Sequence, residues 1–477
     1  KAWLLRVLRD WAPYLLLFLG VGIWRAFFFT YQTNNYQPLG LQSLLADPLG
    51  GLWSLIQAAG LDVLLAGLAA WGLPFTFANL DGAGLTTLAL YLGVTLAVLA
   101  FSALTLFKQA GRAAEDDSAP RRAGLEMLLA GLILLVIAGG PFYLTGLPVR
   151  LHFPNDRFTI PFMPGSALLL SGLLHWAFPR RVFWRSALAA LLLGLAAGSL
   201  FANANAYRRD WLAQRAFFWQ LSWRIPGLQE GTTLLTNDLP LNFYSDNSLT
   251  APLNWIYAPE NTSQSMPVAL LYPTVRTGKD VLPAFKPGVD ISIDYLVARF
   301  NGSTDQTVAV YYQPPGCLRV LDGEVEANNR FVPAQTREAA TDLGSTEWIE
   351  ANPDNPAVPP AQYYGSEPAH GWCYYYEKAD LARQQQDWDA VAQLADQAFA
   401  LGDYPNDPAE RLPFIEGYAH AGRWDEALAQ SRQAAQISPA MQPVLCKLWQ
   451  RIAANTTAGT DQQTTLNTAY SELGCTP

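Results

Sequence analysis

The sequence predicts a polytopic α-helical membrane domain followed by a small α/β domain and an α-helical hairpin array. Three observations carry that expectation. First, 51% of the 477 residues are hydrophobic and only 15% are charged, which is too apolar for disorder, and the chain is too long for one core. Second, the long apolar runs all precede position 204. Third, the charge divides at the same point: 13 of the 31 Lys/Arg and 9 of the 40 Asp/Glu lie before it, so a first part of net +4 precedes a second part of net −13. The acidic part should be a solvated domain. No strongly basic domain is available to neutralise phosphates, so nucleic acid is not an expected partner.

Crossing a hydrocarbon core takes about 20 helical residues. Five stretches qualify: Trp11 to Phe29, Leu85 to Phe107, Leu125 to Tyr143, Gly165 to Phe178 with its flanks, and Val182 to Asn203. Leu52 to Trp71 is interrupted by Gln57 and Asp62 and weakened by Gly60 and Gly67, so it is expected to lie in the interface or re-enter. Positive residues in short loops stay on the cytoplasmic side. With five crossings, Lys1, Arg6 and Arg9, then Lys108, Arg112, Arg121 and Arg122, then Arg180, Arg181 and Arg185 all fall inside. The expected protein is therefore an integral plasma-membrane protein whose C-terminal half is extracytoplasmic. The 16 Trp, 20 Tyr and 23 Phe supply anchors for both interfaces.

Residues 1–203 thus form the transmembrane domain, 204–336 an extracytoplasmic α/β domain, 337–370 a linker, 371–455 helical repeats and 456–477 a polar tail. In the α/β domain, Ala204 to Arg224 continues the last span as a helix ended by Pro226-Gly227. Strands are expected at Thr232 to Thr236, Val268 to Tyr272, Ile291 to Phe300, Thr307 to Tyr312 and Leu318 to Leu321, with a helix near Leu249 to Tyr257. Asn237 and Asp238 close the first strand, where ligands bind in such sheets, although a polar turn accounts for them equally well.

On the outer face runs the loop Arg150 to Pro164, with Asp156 and Arg157 at the mouth of the next helix. Its Arg157-Phe158-Thr159-Ile160-Pro161 resembles the Arg-aromatic-x-x-Pro sequence that often precedes a span in GT-C type polytopic glycosyltransferases. The resemblance implies a polyprenyl-phosphate-linked sugar donor, its phosphate held by the Arg157 fork, with Asp156 and His152 beside it as substrate-binding residues. It also implies a catalytic acid in the first outer loop of the full chain. No loop here matches that one, and none of Asp47, Asp62 and Asp81 inherits the role. The first residue is Lys1, and the chain is expected to be a fragment whose catalytic residues lie upstream. The competing reading of Arg157 is an interfacial arginine that anchors the helix.

Asp387 to Ala398 aligns with Arg423 to Ala434, placing Trp388 and Trp424 36 positions apart and repeating Ala at Ala398 and Ala434. This resembles tetratricopeptide repeats, whose period is about 34 residues. An ordinary helical hairpin with Trp in its core is the alternative. The four cysteines all follow position 204, and an even count in an oxidising compartment suggests disulfides, Cys317 with Cys373 and Cys446 with Cys475. Buried free thiols remain the alternative. His152, His175, His370 and His420 lack metal-ligand spacing, and no phosphate-cradling loop is present, so no cofactor or metal site is identifiable.

Two functions remain open. One is part of a membrane glycosyltransferase acting on the outer face, with membrane lipid and a polyprenyl-phosphate sugar as partners. The other is a non-catalytic membrane-anchored scaffold that binds a protein through its repeats. A polysaccharide polymerase or ligase is a third relative of the first.

Overall fold

The computed structural model describes residues 2–28, 38–76, 80, 83–113, 120–278, 282, 285–295 and 298–475. Lys1, Phe29 and Asp81, the side chains of Arg6 and Arg112, and the last two positions of the expected tail lie outside the described residues.

The membrane half contains α1 (Ala2–Phe27), α2 (Leu39–Ala46), α3 (Pro48–Gly67), α4 (Leu85–Ala113), α5 (Pro120–Ala138), α6 (Gly140–Thr145), α7 (Met163–Ala177) and α8 (Val182–Arg224). Five described segments are long and apolar enough to cross a membrane: Pro48–Gly67, Leu85–Gln109, Arg121–Thr145, Asp156–Ala177 and Val182–Arg224. Four coincide with expected spans. The fifth, Pro48–Gly67, is the core of the segment expected to be interfacial: Asp62 and the glycines leave 20 residues of unbroken helix, because Asp47 caps its start through Gly50 N–H and Pro48 suits its first turn. α1, 26 residues long, carries the first expected crossing, with Tyr14, Leu15 to Leu19, Val21 and Ile23 exposed along its apolar run. Packing sets α3 apart from the other four. It meets α5 and α7 through its C-terminal turns, where Val63 and Ala66 join a small core with Leu135, Phe162 and Leu169. Its N-terminal turn instead folds back on α2, Gly51 lying against Leu44.

The remaining four helices pair closely. On α8, Ser186, Ala190, Gly194, Gly198, Ala202 and Ala206 recur every fourth residue as one buried stripe. A Cβ on Gly194 would stand 2.9 Å from the Thr95 carbonyl oxygen of α4, and one on Gly198 would collide with Thr95 Oγ1. α5 and α7 use the same device, Gly131 against Gly165 and Leu169, and Gly172 against Gly124 and Leu128. Without a hydrophobic drive between helices in lipid, such close approach supplies the dispersion contacts that hold the pair. At the end of these helices away from the sheet domain, Arg121, Arg122, Arg180 and Arg181 surround one cleft.

α8 runs without interruption for 43 residues, about 65 Å at 1.5 Å per residue, and carries the chain into the polar half. There the buried stripe continues as Asp210 and Gln214 and then broadens into Phe217, Phe218 and Leu221, which enter the core of the sheet domain. The strands are β1 (Thr233–Thr236), β2 (Ser265–Met266), β3 (Ala269–Leu271), β4 (Asp290–Asp294), β5 (Arg299–Ser303), β6 (Thr307–Tyr311) and β7 (Arg319–Val320). β1 lies between β3 and β6, parallel to both, and β7 closes the order β3-β1-β6-β7 antiparallel to β6. The run expected as one strand from Ile291 to Phe300 is split between β4 and β5, which pair antiparallel in a second sheet, β2-β5-β4. α9 (Asp246–Tyr257) packs on β3 and starts with a capping box between Ser245 and Ser248. α10 (Pro273–Arg276) follows β3. The stretch expected to be a linker carries α11 (Ala334–Asp342) and α12 (Ala361–Tyr364), and it buries Ala339, Ala340, Ile349 and Tyr364 against the sheets. Its Pro-rich composition reflects an irregular path over a core.

The helical array comprises α13 (Trp372–Gln384), α14 (Trp388–Ala400), α15 (Leu412–His420), α16 (Trp424–Ile437), α17 (Gln442–Asn455) and α18 (Thr460–Leu473). They pack in succession as three helix pairs. The polar tail expected at 456–477 holds α18, which buries Leu466, Ala469 and Leu473 and closes the array. Disulfides join Cys317 to Cys373 and Cys446 to Cys475, the first stapling the sheet domain to α13 and the second α17 to the end of α18.

Candidate functional site

The loop from Arg150 to Phe162 sits where the membrane helices meet the sheet domain. Asp156–Phe162 forms a 3-10 turn leading directly into α7, with Pro161 inside the turn and Pro164 in the first turn of α7. Asp156 Oδ1 accepts from the Arg157 backbone N–H at 3.0 Å, and the Asp156 carbonyl accepts from Thr159 Oγ1 at 2.7 Å. The Arg157 side chain is exposed, with its guanidinium 5.3 Å from the centre of the Phe158 ring. His152 is also exposed, and its carbonyl accepts from Asn155 and Asp156 N–H to close the turn. The three residues expected to bind substrate therefore share one short loop, with Asp156 ordering its backbone.

Across from this loop stand residues the sequence reading did not single out for chemistry. Phe153 meets Phe243 edge-on at 6.0 Å, and Phe243 stacks on Tyr207 of α8 at 3.9 Å. Tyr207 lies within electrostatic range of Asp156 and Asp210. Asp210 is buried and accepts from Asn242 N–H at 2.7 Å, Asn242 Nδ2 at 2.9 Å and Phe243 N–H at 2.9 Å, fixing the loop after β1 on α8. Its place on the fourfold stripe of α8 was the available signal. Arg150 acts electrostatically on Asp62, a buried carboxyl of α3, and Asp62 acts in turn on Tyr143. The junction thus carries two arginines, three acids and a row of aromatic rings, and the exposed Arg157 guanidinium among them is able to hold an anionic group at the membrane surface.

Asn237 and Asp238 lie elsewhere and do structural work. Asn237 extends the sheet with its amide, accepting from Tyr312 N–H at 2.8 Å and donating to the Tyr312 carbonyl at 3.0 Å. Asp238 accepts from Thr274 Oγ1.

A second polar concentration lies between the sheet domain and the array. A cleft of about 420 Å³ is lined by Asp322, Arg383, Glu416, Arg451 and Trp388, among others. Arg451 grips Glu416 bidentately at 2.8 and 2.7 Å and also bonds Asp322. Burial would raise the Asp322 carboxyl, but Arg383 and Arg451 beside it outweigh burial and hold it below its ordinary range. The charges here satisfy one another, which marks a domain seam. Among the described residues no group of three or more His, Cys, Asp or Glu is placed to hold a metal ion.

Fold and junction together define a class: a polytopic membrane protein whose last helix continues as the spine of a mixed α/β domain, capped by a helical array. No protein-family model matches the chain, and no curated protein or solved structure matches it.

Proposed function

We propose that the chain is part of a membrane glycosyltransferase that uses a polyprenyl-phosphate-linked sugar on the extracytoplasmic face, with the array read as tetratricopeptide-like. The observation that supports this reading is the exposed Arg157 fork beside Asp156, on a loop packed under the sheet domain through Phe153 and Phe243. A guanidinium there meets a lipid-linked phosphate arriving in the membrane plane, and the polar half stands over the sugar. The four arginines gathered at the opposite end of the helices support this orientation. Binding of undecaprenyl phosphate to the chain in nanodiscs tests the reading. A charge-assisted contact contributes about 1.5–3 kcal/mol, so Arg157→Ala should weaken binding roughly 10- to 100-fold, and Arg157→Lys, which keeps charge but loses the fork, should also weaken it. Wild-type binding by Arg157→Ala protein would leave only an anchoring role. The alternative, a scaffold that binds a protein partner at the array, draws its support from the cleft beside Trp388.

A further inference from the structure

Gly124 on α5 lets the last turn of α7 come into backbone contact: a Cβ there would stand 2.9 Å from the Trp176 nitrogen and 3.1 Å from His175 Cβ. That close approach brings the start of α5 beside the short connection between α7 and α8. Arg121 and Arg122 from the one, and Arg180 and Arg181 from the other, line a single open cleft of about 550 Å³, with Phe178 and Pro179 completing its wall. None of the lining residues carries a negative charge.

All four arginines are exposed, and little of their charge is balanced within the protein. Arg122 meets Glu126 at 3.1 Å, one turn along α5, in a pair that is itself exposed. Among the described residues, Arg121, Arg180 and Arg181 have no partner for their side chains in a hydrogen bond or an ion pair. Retention of positive loops on one side of the membrane accounts for the number of these residues, but it does not require two separate loops to converge on one cavity. Four like charges held together repel, and an anion seated among them offsets that repulsion.

Position decides the kind of anion. The cleft opens where the apolar run of α5 begins, that of α7 ends and that of α8 begins, which is the level of the lipid headgroups. Trp176, Phe183 and Trp184 flank it with more than half of each side chain exposed, as residues that anchor at this depth do. A phospholipid delivers its phosphate to this level with its acyl chains along the exposed leucines of α5, Leu125 and Leu129. A single phosphodiester carries one charge and would leave most of the cluster unbalanced. We propose that the cleft binds a phospholipid headgroup carrying two phosphodiesters, one held by Arg121 and Arg122 and the other by Arg180 and Arg181 through forked hydrogen bonds. The site goes beyond the phosphate reading of Arg157 and does not rest on it, because it lies at the opposite end of the helices.

Native mass spectrometry of the full chain released from detergent, with tetraoleoyl cardiolipin, dioleoyl phosphatidylglycerol and dioleoyl phosphatidylcholine added in turn, tests the site. Cardiolipin should bind most tightly and phosphatidylcholine, whose headgroup is neutral overall, least. Arg180→Gln, at an exposed position, should weaken cardiolipin binding about 10-fold through the loss of one charge-assisted contact. Lys108→Gln removes the same charge outside the cleft and should leave binding unchanged. Equal affinities for cardiolipin and either other lipid would overturn the proposal. So would equal losses in the two variants, which mark a diffuse field, or displacement of cardiolipin by an equal concentration of inorganic phosphate, which marks a site for soluble anions. The remaining competitor is internal, since Glu115, Asp116 and Asp117 precede α5 in the sequence. If those acids neutralise the arginines, only protein carrying Glu115→Gln, Asp116→Asn and Asp117→Asn will prefer cardiolipin, and the proposal fails.

Discussion

Arg224, the last residue of the membrane-spanning α8, donates from Nε to Asp380 Oδ2 of the array at 2.5 Å, with both side chains buried. Arg224 NH1 also donates to Gln384 Oε1 at 3.0 Å, and Asp380 accepts from Arg383 Nε at 2.7 Å. The end of a membrane helix is thereby locked to the first helix of the array across the sheet domain. Burial would raise the Asp380 carboxyl, but Arg224 and Arg383 overcome it and bring it down to about 2. Breaking a buried pair strands a charge and costs about 3–5 kcal/mol. Asp380→Ala should therefore lower the unfolding temperature of the polar half by several degrees, followed by near-UV circular dichroism. An unchanged transition would show that the pair carries no net stability.

A second buried carboxyl behaves in the opposite sense. Glu377 is fully buried on α13 with neither oxygen hydrogen-bonded, and burial pushes it well above the ordinary carboxylate range, with Arg224 opposing and Asp380 and Glu410 adding to the rise. The folded state then holds a proton that the unfolded chain releases above pH about 4.5. Stability from this group is fully present below that pH and is lost as pH rises toward the folded value. Thermal melts from pH 5 to 9 should show a falling midpoint, and Glu377→Gln, which keeps the neutral form, should flatten the slope. Parallel slopes for the two proteins would rule this out.

Disulfide Cys446–Cys475 closes a loop with a sequence separation of 29. On loop-entropy grounds such a link stabilises by about 3–4 kcal/mol. Cys446→Ser with Cys475→Ser should release α18 first, seen as faster amide exchange from 460 to 473. Native protein should offer no alkylatable thiol without reductant; recovery of alkylated Cys446 would contradict the pairing.

The parts that could be read in advance are those with a local period. The apolar runs before position 204 and the short strand run from Thr232 to Thr236 each describe a single element. The first two helix pairs announced themselves through Trp388 and Trp424, whereas α18 lacks the Trp-Asp signature and sits in a Gln- and Thr-rich segment. Within 337–370, prolines and acids masked residues such as Ile349 and Tyr364 that are buried by partners far away in the chain. The junction was half legible: Asp156 and Arg157 lie in one motif, but Tyr207, Asp210 and Phe243 join them only when α8 and the loop after β1 come together. The arginine cleft was legible only as two charged loops, since Arg121 and Arg180 share a cavity only once α5 and α7 pair.

The α4–α8 pair is the most direct test of the membrane half. Gly194 faces Leu99 Cβ and the Thr95 carbonyl oxygen so closely that a Cβ would stand 2.8 and 2.9 Å from them. Backbone cannot yield there as a flexible side chain could, so Gly194→Leu must push the helices apart and forfeit the dispersion contacts along the stripe from Ser186 to Ala206. Residues on the far face of α8 provide the control. Leu200, which is 70% exposed, should accept Ala with little effect beyond the small loss of lipid contact. The expected outcome is reduced detergent-resistant folded protein for Gly194→Leu and wild-type recovery for Leu200→Ala, measured by fluorescence-detected size exclusion. If Gly194→Leu is recovered as well as Leu200→Ala, close α4–α8 packing is not what holds this pair.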